Sequence, residues 1–452
     1  MNKTFAFLFL SSAVACELFA GVPEVSDVTI AQPRRKTIEV AYKLQNGPAI
    51  VTVDFLTNGV SVGADKIVNH VTGAFEKVSA ATPKIVWDVG AALPNVRNLS
   101  LTAVVKAWAL ENPPDYMVVE LSKTGKSSPR YYPSEGFLPG GTALDTRYRT
   151  THLLMKKVLA KGLVWTMGGT AGQSGAASGK LGCRVTLTNN YYLGVFELTQ
   201  AQTGNVNARK GRFTTDGDMR PAEGFSFDNL RDAVNWSSPA QSRYPSPPYV
   251  DADNRQVYSS IIGAINLCVK DVAFDVPTEA QWEFAARAGQ PAGRWGTGDA
   301  CYPKYEASST GTSPILSEIA RYRGNGRTNS DTRPKEDGDS DYATYDTSVG
   351  TQVCGSYPPN AYGFYDMHGN VSEYVLDWWD AANGYYSGKE YGRPNCDGEK
   401  VLSTGATGTK HTLKGGSWMT WASDCAAGYR YGDYGTSFSR AHFGARLCVT
   451  LP

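Results

Sequence analysis

Eight cysteines, five histidines and several acidic clusters are the residues of this 452-residue chain best suited to bind metal or act as nucleophiles. The histidines, His70, His152, His368, His411 and His442, are scattered and form no His-x-x-His or His-Glu-x-x-His pattern. No two cysteines stand at zinc-ribbon spacing. Asp337-Gly338-Asp339-Ser340-Asp341 opens like a calcium loop. It then fails, because Tyr342 stands where the turn needs glycine and Ser348 where a bidentate glutamate is required. It reads better as a solvated acidic loop. No nucleophile elbow, phosphate-binding glycine loop or Ser/His/Asp pattern is present. Two segments remain. Lys414-Gly415-Gly416-Ser417-Trp418-Met419-Thr420-Trp421-Ala422-Ser423-Asp424-Cys425 puts a hydroxyl-rich turn next to a thiol, and Asp366 to Glu373 puts two carboxylates around a Gly-Asn turn. Calcium takes six to eight oxygens, and a tight glycine-containing loop can aim several carbonyls inward.

These segments carry a family resemblance. The run from Lys414 to Cys425, followed by Tyr429-Arg430-Tyr431 and Phe443-Gly444-Ala445-Arg446-Leu447-Cys448, resembles the C-terminal signature of the sulfatase-modifying-factor domain, the fold of formylglycine-generating enzymes. Asn360-Ala361-Tyr362-Gly363-Phe364-Tyr365-Asp366-Met367-His368-Gly369-Asn370-Val371-Ser372-Glu373-Tyr374 and Val276-Pro277-Thr278-Glu279-Ala280-Gln281-Trp282 match two further blocks in the family's order. The resemblance implies a loop-rich, C-type-lectin-like domain over about residues 150–452. It also implies copper held by two cysteines, of which this chain has Cys425, while Thr420 occupies the first position. Copper(I) is soft and prefers thiolates, and a threonine hydroxyl is a poor ligand for it. Carried over position by position, Cys425 is the reactive thiol with Ser417 as helper. A calcium ion would take side-chain oxygens from Asp366 and Glu373 and carbonyls from Gly369 and Val371. Where the copper enzymes carry a tryptophan beside that glutamate, this chain has Ser372. Cys425 also matches a cysteine that lies in the core or in a disulfide in relatives that are not oxidases.

The elements that must position these residues are partly readable. Thr278 with Gln281 three residues on makes a capping box, Glu279 suits the positive end of the dipole, and Gly289 is a natural stop. Helical spacing puts Trp282, Ala285 and Ala286 on a core-facing side. Upstream, alternation in Thr37–Tyr42 and Val51–Phe55, the β-rich runs Ile85–Trp87, Leu101–Trp108 and Tyr116–Leu121, and turns at Asn46-Gly47 and Asn58-Gly59 predict an all-β sandwich over 22–122, like immunoglobulin or fibronectin modules. Residues 123–149 read as a linker. The fold class is therefore α+β, with the stretch 290–357 mostly loop.

A net charge of +1 and 41% hydrophobic residues point away from nucleic acid or an anionic membrane surface. Lys3, the apolar run from Phe5 to Ala15 and a plausible cut after Ala20 predict an export signal over 1–20, with a lipoprotein cut before Cys16 as the alternative. Export leaves seven cysteines in a disulfide-permissive compartment, an odd number. No later segment has the roughly 18 uninterrupted apolar residues of a membrane span. Two functions follow. One is a secreted or cell-surface module that binds a protein or glycan and lacks the copper pair. The other is an oxidase converting a sulfatase cysteine to formylglycine.

Overall fold

A computed structural model describes residues 21–96, 100–121, 125–168, 183–206, 217–231, 249–250, 256–257, 260–289, 313–326, 350–378, 411–432 and 437–452. The predicted signal segment, Cys16 and the Asp337–Asp341 loop lie outside them. Within the stretch 290–357, two short helices are described, Pro314–Ile319 and Arg323–Gly326.

The N-terminal unit is strand-rich. Strands β1 (Glu24–Arg34), β2 (Thr37–Gln45), β3 (Ala49–Thr57), β4 (Val60–Ser61), β5 (Val71–Gly73), β6 (Glu76–Val78), β7 (Lys84–Trp87) and β8 (Leu101–Trp108) form two sheets. One has the order β1-β2-β7-β5; in the other, β3 pairs with β4, β6 and β8. Alternation in β2 buries Ile38, Val40, Tyr42 and Leu44 and exposes or half-exposes the residues between them, as the pleat requires. The sheets share one core, in which Phe55 of β3 stacks on Trp87 of β7 with ring centroids 4.2 Å apart. Trp87 keeps its indole N–H satisfied by donating to the Lys66 carbonyl at 2.9 Å.

The boundary falls earlier than the sequence suggests. Strand β9 (Tyr116–Glu120), expected to close the N-terminal sandwich, pairs instead with β10 (Arg130–Tyr132) and β11 (His152–Val158). The sheet continues through β14 (Tyr191–Gly194) to β21 (Cys448–Thr450), in the order β10-β9-β11-β14-β21. β12 (Val164–Met167) and β13 (Cys183–Thr186) form a separate hairpin-like pair. Residues 123–149 are therefore not simply a linker: β10 joins the sheet, and Tyr148 and Arg149 are buried. The reason is that Met117 and Val119 face the second unit's core with Leu153, Met155 and Tyr192. Alternation identified the strand but could not say which sheet would accept its apolar face.

A second sheet follows the short pair β15 (Tyr249–Val250) and β16 (Gln256–Val257). It joins β17 (Ser372–Trp378), β18 (His411–Lys414), β19 (Tyr431–Gly432) and β20 (Phe443–Gly444) in the order β19-β18-β17-β20. Against it lies the helix Glu279–Ala286, with the expected capping box between Thr278 and Gln281. One expectation about this helix changes. All eight of its residues are buried, the polar ones included, so it has no solvent face. Glu279 and Glu283 are tolerated there because cations neutralise them. Lys414 Nζ lies 3.3 Å from Glu279 and 3.0 Å from Glu283, Arg430 Nε 2.7 Å from Glu279, and Arg287 Nε 2.8 Å from Glu283. Lys414 and Arg287 hold the Glu283 carboxyl below its usual range despite its burial.

Removing one member of a buried ion network leaves charge without compensation, at a cost of about 3–5 kcal/mol. Lys414→Met is therefore expected to lower the denaturation midpoint by that order, measured in urea; an unchanged midpoint would show that the network contributes nothing net. His411 gives a second expectation. It is fully buried and stacked on Phe227, with centroids 3.4 Å apart. Burial, helped by Arg231, pushes its pKa well down. The folded chain keeps the ring neutral, whereas the unfolded chain takes up a proton near pH 6.5. Stability should thus fall as pH drops below about 6.5, with about 1.4 kcal/mol per pH unit from this one group. His411→Phe should reduce that slope, and an equal slope in the variant would remove the assignment.

Candidate metal and thiol sites

The loop before β17 is held from several directions. Asn360 Nδ2 donates to the Ala285 and Ala286 carbonyls at 2.8 and 3.3 Å, covering the end of the helix, while its Oδ1 accepts from the Tyr362 and Phe364 amides. Further on the backbone turns left-handed at Asp366, Gly369 and Asn370. Gly369 is required for packing as well as conformation, since a Cβ there would lie 2.1 Å from the Arg321 carbonyl oxygen. That carbonyl accepts the Asn370 amide at 2.7 Å, and the Gly369 amide donates to Gly415 at 2.7 Å. The loop is thereby locked to the Gly-Gly-Ser turn.

The two carboxylates expected to share calcium engage different partners. Glu373 Oε2 accepts the Trp282 indole N–H at 2.6 Å, and both its oxygens accept from Arg446, with Nη2 at 2.9 Å and Nε at 3.1 Å. A carboxylate already neutralised by a guanidinium does not fit a calcium shell alongside Asp366, Gly369 and Val371. Asp366 Oδ2 accepts the Gly355 amide at 2.6 Å, and its other oxygen, Oδ1, is buried with no hydrogen-bond partner. The side-chain donors of Glu197, Cys354 and Asp366 all lie within 4.8 Å of one another. Glu197 accepts from Asn370 Nδ2 at 2.6 Å and the Val371 amide at 3.1 Å, and the Cys354 thiol points at it from 3.5 Å. Burial first, then Asp366 and Glu373, pushes the Glu197 carboxyl far up. Burial brings Asp366 to about 6 and raises the Cys354 thiol well above its usual range.

Glu197 and Cys354 were not among the residues singled out in the sequence. Glu197 had a signal: it is a lone acid in the run Tyr191–Leu198, whose other residues are otherwise uncharged and all buried. Cys354 had none, because nothing local links it to residues more than 150 positions upstream.

The second site is the turn after β18. Gly415 and Gly416 both have positive φ, and a Cβ on Gly416 would lie 2.7 Å from Cys425 Sγ and 2.8 Å from Thr420 Oγ1. Thr420 Oγ1 accepts the Ser417 amide at 2.7 Å, donates to the Ser417 carbonyl at 3.1 Å, and lies 3.6 Å from Cys425 Sγ. Ser417 Oγ accepts the Met419 amide at 3.2 Å. His368 Nδ1 and the Cys425 carbonyl are 2.7 Å apart. Ser417, Thr420 and Cys425, the sequence-predicted residues, are thus brought together. Cys425 is fully buried beside Leu316, Ala320, Tyr322 and Ala426. Next to the pair, Trp421 is 45% exposed and carries the Arg323 guanidinium 3.9 Å above its ring.

This donor set does not fit copper(I). It offers one thiol, and the neighbouring hydroxyl is engaged by backbone. Among the described residues, Cys354 and Cys448 belong to other core clusters, with Phe196 and Trp282 respectively, and Cys268 packs against a third. No disulfide joins these described cysteines.

Residues 151–451 match the sulfatase-modifying factor enzyme 1-like domain, and the chain belongs to that family. It is 31% identical over 153 residues to a formylglycine-generating enzyme of Thermomonospora curvata, a match covering 33% of this chain and 40% of that protein. It is 25% identical over 297 residues to the formylglycine-generating enzyme of Mus musculus, covering 62% and 69% respectively. A structure titled Treponema denticola variable protein 1 is also similar, with 20% identity, a TM-score of 0.42, and coverage of 66% of this chain and 95% of that one. The chain spans less than half the length of the Thermomonospora relative. No helix among the described residues is long and apolar enough to cross a membrane.

Gly416→Ala is expected to destabilise the second unit by about 1–3 kcal/mol, because it combines a left-handed backbone with a clash against Thr420 and Cys425. Thermal melting checks this; a variant as stable as the parent would mean the turn is looser than described.

Proposed function

We propose that this chain is an exported sulfatase-modifying-factor relative that has lost copper-dependent oxidation and serves as a recognition module for a protein or glycan. One observation carries the reading: where the family's copper site needs a second thiolate, Thr420 presents a hydroxyl 3.6 Å from Cys425 that is already hydrogen-bonded to Ser417. Soft copper(I) gains little from such an oxygen. The burial of Cys425 supports the same conclusion, since a reactive thiol must reach its substrate. The exposed Trp421 with its stacked Arg323 supplies what recognition uses instead, a rigid aromatic surface with a fixed cation.

The competing reading, a formylglycine-generating oxidase acting on sulfatases, is favoured by family membership and by the retained Cys425. The two are separated by incubating the protein with copper(I), oxygen and a peptide bearing Cys-x-Pro-x-Arg, followed by mass spectrometry. No conversion of the peptide cysteine is expected, and a formylglycine product would overturn the proposal. Thr420→Cys is expected to gain one bound copper(I) per chain, which would locate the loss in that single ligand.

A further inference from the structure

We infer that Glu197, Asp366 and Cys354 form a buried site for one divalent ion of the zinc class. This is independent of the fate of the Thr420–Cys425 pair.

Four observations carry it. The three donor atoms lie within 4.8 Å of one another. A tetrahedral ion with metal–oxygen bonds of about 2.1 Å and a metal–sulfur bond of about 2.3 Å sets its donors roughly 3.5 Å apart, so small rotations of these side chains suffice. Burial is the second: the side chains are 1%, 3% and 0% exposed, so water does not solvate these charges. Third, Asp366 Oδ1 is enclosed without any hydrogen-bond partner, a condition that costs free energy unless something unseen satisfies it.

The fourth is charge. Arg446 is committed to Glu373 and to the Gly194, Val195 and Tyr365 carbonyls. The Arg149 guanidinium donates to the Cys354 and Leu144 carbonyls rather than to a carboxylate. Among the described residues, then, neither Glu197 nor Asp366 has a cationic side chain in hydrogen-bond contact. Buried carboxylates are ordinarily paired or bound to metal. Three other buried acids of this domain, Glu279, Glu283 and Glu373, are each paired with a cation.

The donor types select the ion. Two carboxylates with one thiol suit a borderline cation such as zinc, whereas calcium and magnesium prefer oxygen alone. On binding, the Cys354 thiol and whichever of the two carboxyls is protonated in the metal-free chain release their protons to solvent, and the sulfur and both carboxylates coordinate the metal. The fourth position is left to water. The ion would link the Glu197 segment after β14, the turn at Cys354 and the Asp366 loop, so its role is structural.

The test uses the full chain. Purified from medium containing zinc, it is expected to retain about one zinc per chain by elemental analysis and to melt lower after chelation. Loaded with cobalt(II), it should show thiolate-to-cobalt charge-transfer absorption in the near ultraviolet. Cys354→Ser should abolish that band, and Cys425→Ser should keep it. Should the serine variant fail to fold, Asp366→Asn serves, with an expected loss of cobalt affinity of at least tenfold. The inference is overturned by metal-free protein whose melting ignores chelation, by a band that survives Cys354→Ser, or by undiminished affinity in Asp366→Asn.

Discussion

The second domain is organised around one guanidinium sealed from water. Arg446 is fully buried, and every part of its head is engaged: Glu373 on β17, the Gly194 and Val195 carbonyls after β14, and the Tyr365 carbonyl in the Asn360–Val371 loop. Glu373 in turn holds the indole of Trp282 in the buried helix. One ion pair thus ties four distant segments together. A buried pair of this kind adds little net stability over apolar packing, but losing one partner is severe, because the other charge is stranded. It acts as a geometric constraint: the segments must meet in this register or leave charge unpaired.

That constraint decides what the neighbouring carboxylates can do. Glu373 is held by Arg446 and by the Trp282 indole. Glu197 and Asp366 sit nearby without an equivalent partner. The contrast with the Glu279–Lys414–Glu283–Arg287–Arg430 network is informative. There every carboxylate meets a cation at ion-pair distance, and the helix tolerates complete burial as a result. Two clusters in one domain obey the same electrostatics, one through direct ion pairs and the other with its nearest cation, Arg446, acting only at a distance.

At the Gly-Gly-Ser turn Ser417, Thr420 and Cys425 meet in one place. The turn still brings residue 420 against residue 425, and the glycine between them is needed because any side chain would collide with both. The Thr420 hydroxyl beside the Cys425 thiol is absorbed into the turn's own hydrogen bonds. Fold and family membership alone do not establish activity.

The sequence by itself determined what depends on near neighbours and on motif: the capping box at Thr278 and Gln281, the alternation that makes β2 and β3 strands, and the grouping of Ser417, Thr420 and Cys425 in one turn. It also carried the family, because three motif blocks stand in order. Tertiary structure decided what depends on partners far along the chain. Strand Tyr116–Glu120 joined the second domain's sheet because the apolar partners for Met117 and Val119 lie there. The helix lost its solvent face because Lys414 and Arg430, more than 130 residues away, neutralise its acids. Glu373 was withdrawn from Asp366 by Arg446, and Glu197 and Cys354 were brought in. Local pattern fixes backbone conformation, but charge pairing in a dry interior is settled only once the whole chain has closed around it.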